Sequence, residues 1–242
     1  MPDPKPSTFL HRLKRHVVSR ASRSLVRSGL PSRRIATRLL MRELLREGRT
    51  MVSAVRLAHL AEICSLKDLP AGSFVECGVA RGGCLTVMAY SSSQRQTWGF
   101  DSFQSMPSLT DEDAGEGQGW VGYQCAGPRG LADAEGTLRR FGIGRARATL
   151  VEGWFEDTLP AYVDRLAPIA VLRLDNDWYR STMFCLETLY SAVAPGGVVL
   201  IDDYHTFAGC RRAVTEFRQR QGIDGPLVDV ELDSEVYWRK AW

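Results

Sequence analysis

From residue 50 onward, short apolar runs alternate with stretches of helical spacing. The runs are SFVECGV (73–79), QTWGFD (96–101), ATLVEGW (148–154), IAVLRLD (169–175) and GGVVLID (196–202). Each is apolar at successive positions and bounded by turn residues, so each reads as a strand buried on both faces. Between them, apolar residues recur at helical intervals over 83–93, 130–141, 157–167, 180–193 and 207–221. This alternation predicts an α/β fold: a Rossmann-like, doubly wound sheet of about seven strands, mainly parallel, with helices on both faces. The end breaks the rule. PLVDVELDSEVYWRKAW (226–242) reads as two strands joined by a tight turn at Asp233–Ser234, which makes the last strand antiparallel.

Upstream, MVSAVRLAHLAEICSL (51–66) has helical spacing and is closed by the turn DLPAG. Residues 34–47 predict another helix. Residues 8–29 predict a basic amphipathic one, with Leu10, Leu13, Val17 and Leu25 on or near one face, and MPDPKPS at the start predicts disorder. The chain therefore divides into a basic helical arm, 1–49, and a domain, 50–242.

Charge sharpens that division. The net charge of the 242 residues is +3, yet residues 1–50 carry 13 Lys/Arg against Asp3, Glu43 and Glu47. The remainder is acidic, with 18 basic and 25 acidic side chains. An arm acting on nucleic acid or an anionic surface is the rival reading from another class. It lacks interleaved aromatics for base stacking, and the acidic body would repel a polyanion, so no nucleic-acid partner is expected. Solvation, docking to a partner, or contacts in a homo-oligomer suit the arm better. Six cysteines (64, 77, 84, 125, 185, 210) form no CxxC pair, which fits reduced, cytoplasmic usage. No run has the length of a membrane span, and the N-terminus lacks the apolar core of a signal peptide.

In open α/β sheets the ligand crevice lies at the C-terminal strand ends. There the chain places VECGVARGGCL, with Gly78, Gly82 and Gly83 between the first strand and its helix. The spacing is neither that of a dinucleotide fingerprint nor that of a phosphate loop. Glu76, just before the first glycine, disfavours a pyrophosphate and suits a cationic or zwitterionic ligand. Asp101, ending the second strand in GFDSF, stands where an acid accepts ribose hydroxyls. Each signal alone is compatible with a structural turn. Together they favour an adenosine-containing ligand without phosphates, which describes S-adenosylmethionine.

FVECGVARGG, GFDSFQSMP, VEGWFEDTLP, LRLDNDWYRSTM and IDDYHTFAGCRRAVTEF occur in order between about Thr50 and Ile223. Together they resemble the macrocin O-methyltransferase family, class I S-adenosylmethionine- and magnesium-dependent enzymes that methylate hydroxyls, often on sugars of natural products. The resemblance implies a cofactor set of Thr50, Met51, Glu76, Gly78, Arg81, Gly82, Asp101, Ser102, Gly153, Trp154 and Phe155. Glu76 and Gly78 would hold the methionine portion, and Trp154 or Phe155 would border the adenine. An ordinary core role is the alternative for that aromatic pair.

Four acids remain: Asp175, Asp177, Asp202 and Asp203. Neighbouring strands lie about 4.8 Å apart, so Asp175, Asp202 and Asp203 are expected to converge on a hard cation, with all-oxygen ligation suiting Mg²⁺. The alternative is that these acids end strands and cap helices. The family pattern agrees on the three ligands and makes Asp177 the general base, with His205 as the rival base. This chain departs from the pattern: Asn176, Trp178 and Arg180 stand where the family has Gly, Leu and Glu, which bears on the acceptor surface. The long glycine-rich segment 105–130, carrying Trp120 and Tyr123, reads as a lid over the acceptor or as an ordinary insertion. The expected reaction is Mg²⁺-assisted O-methylation of a small-molecule hydroxyl, a glycoside foremost and a catechol-type phenol as the alternative.

Overall fold

The structure, a computed structural model, describes residues 33–113, 115–230 and 235–241. The expectations for residues 1–32 and for the turn at Asp233–Ser234 lie outside them.

The chain enters through helix α1 (Arg33–Arg46) and helix α2 (Ala54–Ile63), then runs β1 (Ser73–Cys77), α3 (Gly83–Ser91), β2 (Thr97–Asp101), α4 (Leu131–Arg140) and β3 (Ala148–Glu152). Short helices α5 (Phe155–Thr158) and α6 (Val163–Leu166) follow, then β4 (Ile169–Leu174), α7 (Tyr179–Leu189), β5 (Val193–Ile201), α8 (Ala208–Arg220), β6 (Val228–Asp229) and β7 (Val236–Arg239). The single helix expected over 157–167 is broken by a 3₁₀ turn at Leu159–Ala161. Pro160 within that turn has no N–H to continue an α-helical ladder. The helix expected over 180–193 stops at Leu189. The chain passes through a 3₁₀ turn, Tyr190–Ala192, and β5 begins three residues earlier than the pattern suggests.

The strands form one sheet in the order β3-β2-β1-β4-β5-β7-β6. β1 to β5 pair in parallel, and β7 runs antiparallel to both β5 and β6. The order reverses between β1 and β4, which makes their C-terminal ends the switch point where such sheets bind ligands.

Alternation along the strands sorts side chains between two cores. Phe74, Val171, Val198 and Leu200 pack with Leu57 and Leu60 of α2 and Val87 of α3. Val75, Leu172, Leu174, Val199 and Ile201 pack with Leu186 of α7 and Val214 and Phe217 of α8. Helix α1 belongs to the first core, for Leu40 and Leu44 are fully buried in it. Helix α1, at the C-terminal end of the basic arm, is therefore packed into the domain. No helix among the described residues is long and apolar enough to cross a membrane, and all six cysteines are free.

Candidate active site

A cavity of about 620 Å³ opens at the switch point. Gly78 shows why the floor is bare there. Its φ is +88°, and a Cβ would lie 1.9 Å from the carbonyl oxygen of Asp175, so β1 and β4 approach each other as only glycine allows. Beyond it, the amides of Val79 and Ala80 both donate to Asp101 Oδ2 at 2.8 Å, and Phe103 N–H donates to Oδ1 at 2.6 Å. The glycine turn and the end of β2 are thus tied through one carboxylate. Burial nevertheless raises the Asp101 pKa, against the pull of those three amides.

Most of the expected cofactor residues line this cavity: Thr50, Met51, Glu76, Gly78, Arg81, Asp101, Ser102, Trp154 and Phe155. Trp154 keeps 37% of its surface exposed. Two expected residues are elsewhere. Gly82 does not line the cavity: it turns the chain into α3 at φ +80° and abuts Ala134 of α4. Gly153 is also absent from the lining, and a Cβ there would meet the Thr158 methyl.

Alternation carries a charged layer onto the same sheet face as Phe74, Val171 and Leu200. Glu76, Arg173 and Asp202 continue that parity, and Glu76 pairs in register with Arg173. Arg173 is fully buried. Its Nη1 donates to Glu76 Oε1 at 2.8 Å and Asp175 Oδ2 at 2.9 Å, and its Nη2 donates to Asp202 Oδ1 at 2.5 Å. Arg56 of α2 donates to the other Asp202 oxygen at 2.6 Å. Glu76 Oε2 is buried with no hydrogen-bond partner. Burial pushes the Glu76 carboxyl up to about 8 despite the guanidinium beside it.

The opposite parity carries Asp203 to the other side. Carboxylate oxygens of Asp175, Asp177 and Asp203 all lie within 4.8 Å of one another. The trio expected from sequence was Asp175, Asp202 and Asp203. The structure brings Asp177 into it through the left-handed turn that follows β4, and holds Asp202 on two guanidinium groups instead. Asp177 sits in a left-handed turn at φ +62°, which costs a non-glycine residue free energy and aims its carboxylate into the cavity. Ser181 Oγ braces the turn, donating to the carbonyl of Asn176 at 2.9 Å. Burial, with Asp175 next in weight, pushes Asp177 up to about 7, and a hydrogen bond with Asp203 opposes this. Asp203 is raised by burial and by Asp177, and its Oδ2 is buried without a partner.

His205, the rival base, does not line the cavity. Its exposed ring pairs with Asp229 at 2.7 Å, so the structure turns it away from the aspartates.

Sequence reasoning missed Arg56 and Arg173, the cations that answer the crowding of carboxylates. A signal for Arg173 existed, since one charge interrupts the otherwise apolar run IAVLRL. Arg56 had none, because its pairing with Asp202 spans 146 positions.

A family profile described as Macrocin-O-methyltransferase (TylF) matches residues 5–240. The chain belongs to the macrocin O-methyltransferase family. The match takes in the arm as well, to which the sequence motifs did not extend. The chain is 36% identical over 204 residues to mycinamicin III 3''-O-methyltransferase of Micromonospora griseorubida, covering 79% of this chain and 78% of that one. It is also 36% identical over 212 residues to 8-demethyl-8-(2,3-dimethoxy-alpha-L-rhamnosyl)-tetracenomycin-C 4'-O-methyltransferase of Streptomyces olivaceus, covering 84% and 79%. Among solved structures, the O-methyltransferase NovP superposes with a TM-score of 0.66 at 30% identity, covering 80% of this chain and 83% of NovP. This macrocin-type O-methyltransferase thus has the family's α/β sheet, with its aspartates gathered at the switch point.

Proposed function

We propose that this macrocin-type enzyme transfers a methyl group from S-adenosylmethionine to a sugar hydroxyl of a glycosylated small molecule, with Mg²⁺ assisting. The observation that carries the reading is the junction of two half-sites in one cavity. One half offers Glu76, with a free buried carboxylate oxygen for an ammonium group, Asp101 for ribose hydroxyls, and the exposed face of Trp154 for a purine. The other half offers Asp175, Asp177 and Asp203. The sugar acceptor is supported by the relatives, whose names specify mycinamicin III and a rhamnosyl tetracenomycin.

The donor set fits a hard cation: carboxylate oxygens only, with Asp203 Oδ2 buried and unpartnered. Mg²⁺ held there would lower the pKa of an acceptor hydroxyl and orient it. Asp175 and Asp203 are ligands in both available assignments. The family resemblance adds Asp202 and leaves Asp177 as the general base. The observed trio favours Asp177 as the third ligand while Asp202 holds Arg56 and Arg173. As base, Asp177 would take the hydroxyl proton onto its carboxylate, whose pKa burial raises and a bound cation would lower. Trp178 and, from the 105–130 segment, Trp120 line the same cavity, where that segment would shield an acceptor from water. Free cysteines throughout support a reducing, cytoplasmic setting.

Calorimetry with S-adenosylmethionine, with Mg²⁺ or EDTA, tests the cofactor half directly. A panel of deoxysugar glycosides and catechols tests the acceptor. Methylation confined to catechols would overturn the sugar assignment, and failure to bind S-adenosylmethionine would overturn the reading as a whole.

A further inference from the structure

Helices α7 and α8 carry the two halves of the aspartate centre on the turns that precede them: Asp175 and Asp177 before α7, Asp202 and Asp203 before α8. A helix start leaves backbone N–H groups that want an acceptor, and Ser, Thr, Asp or Asn at the capping position normally supplies it. Neither helix has one. The capping positions are Trp178 and Phe207, whose rings pack edge to face at 5.1 Å and offer no capping oxygen.

The acceptors arrive from the 105–130 segment. Asp113 Oδ1 accepts from the first amide of α7, Tyr179 N–H, at 2.8 Å. Glu116 Oε2 accepts from the first amide of α8, Ala208 N–H, at 2.8 Å. Asp113 is 2% exposed. Its second oxygen accepts from the amide and hydroxyl of Thr110 at 2.9 and 3.0 Å, which locks the carboxylate to its own loop. Two glycines make room for the docking. A Cβ on Gly209 would stand 2.2 Å from Asp113 Oδ1, and one on Gly117 would stand 2.5 Å from the Trp178 ring. The carboxylates also meet the positive ends of both helix dipoles.

We infer that Asp113 and Glu116 are positioning residues forming a two-point latch: the loop closes over the cavity by capping α7 and α8, and the same contacts set the turns that present Asp177 and Asp203. Loop closure and assembly of the aspartate centre are then one event. An open loop leaves both helix starts uncapped and the strained turn at Asp177 without its brace from outside. A closed loop brings Trp120 and Thr110 to the cavity wall. The role assigned to the aspartates rests on the methyltransferase reading; the latch itself does not.

The test uses the full chain with Asp113→Ala, Asp113→Asn, Glu116→Ala and Gly117→Ala. Chymotrypsin cleavage after Trp120 or Tyr123 reports loop opening, and amide exchange at Tyr179 and Ala208 reports the caps. Mn²⁺ affinity by electron paramagnetic resonance reports the aspartate centre, and calorimetry with S-adenosylhomocysteine serves as the control on the cofactor half. Loss of a charge-assisted cap in Asp113→Ala should speed cleavage and Tyr179 exchange about 10-fold or more and weaken Mn²⁺ by a similar factor. S-adenosylhomocysteine affinity should stay within about 3-fold of wild type. Asp113→Asn, which keeps one oxygen acceptor, should recover part of the protection. Glu116 is exposed, so Glu116→Ala should fold even if Asp113→Ala does not, and should raise exchange at Ala208. Gly117→Ala should open the loop by a clash with Trp178 while leaving both carboxylates in place. Folded variants with wild-type cleavage, exchange and Mn²⁺ affinity would overturn the latch. If the wild type binds no S-adenosylmethionine, the methyltransferase reading fails, and cleavage and exchange measured without cofactor still decide the latch.

Discussion

Replacing Glu76 by Gln separates the two demands placed on this residue. Glu76 is fully buried, one oxygen pairs with Arg173 and the other has no partner. Burial pushes its carboxyl up to about 8, from an ordinary value of 4.5. The proton is bound more tightly in the folded chain than in the unfolded one. The stability linked to it is therefore complete below pH 4.5 and is lost as pH rises through about 8. Fully developed, that loss amounts to roughly 5 kcal/mol. Between pH 6 and pH 9 it grows by about 2–3 kcal/mol, so the cofactor-free Gln variant should gain roughly 5–10 °C in Tm over wild type across that interval. Arg173 keeps Asp175 and Asp202 as partners, so the substitution strands no buried cation. Binding should move the other way. An amide facing the ligand ammonium forfeits a charge-assisted hydrogen bond of about 1.5–3 kcal/mol, weakening S-adenosylmethionine about 10- to 150-fold. Calorimetry with S-adenosylmethionine and, separately, with 5′-methylthioadenosine localises the effect, because the second ligand lacks the amino-acid portion and should bind both proteins alike. Wild-type affinity for S-adenosylmethionine in Glu76→Gln, or equal weakening of both ligands, would refute the placement of the ammonium at Glu76.

Asp177→Asn should cut methyl transfer at least about 100-fold with S-adenosylmethionine affinity intact; its effect on Mn²⁺ affinity, compared with that of Asp202→Asn, identifies the third ligand. Arg173→Met leaves three carboxylates short of a buried cation and should cost about 3–5 kcal/mol in denaturant unfolding, whereas an unchanged midpoint would mean those acids are neutral when folded. Burial, then Asp177 and Asp175, push the part-buried Cys125 thiol up to about 12. A cation among the aspartates should bring it back down, so Mg²⁺ should speed alkylation of Cys125 at alkaline pH, and an indifferent rate would place the cation elsewhere. Leu44→Ala in α1 should cost about 2–5 kcal/mol, because that side chain is fully buried against the sheet; a truncation starting at Thr50 that keeps the wild-type Tm would show that α1 is dispensable.

Period-2 and period-3.6 patterns are local properties, and they sufficed for the order of strands and helices, the antiparallel end and the acids at strand ends. Each element's identity follows from which of its own residues must be buried. The same local view reached the cavity residues Glu76, Asp101 and Asp175, since a strand's C-terminal end in a parallel sheet is a fixed place in the fold. It failed where partners come from afar. Asp202 and Asp203 are adjacent in the chain yet serve different groups, because strand parity sends one toward Arg56 and Arg173 and the other toward Asp177. Those partners lie 146 and 29 positions from Asp202. The caps on α7 and α8 come from 66 and 92 positions upstream, and no pattern around Trp178 or Phe207 announces them. Such pairings exist only after the sheet has ordered its strands and the 105–130 segment has folded back over their ends. Burial and dielectric, which decide the charge of Glu76 and Asp177, are properties of that assembled surrounding and of no single stretch of chain.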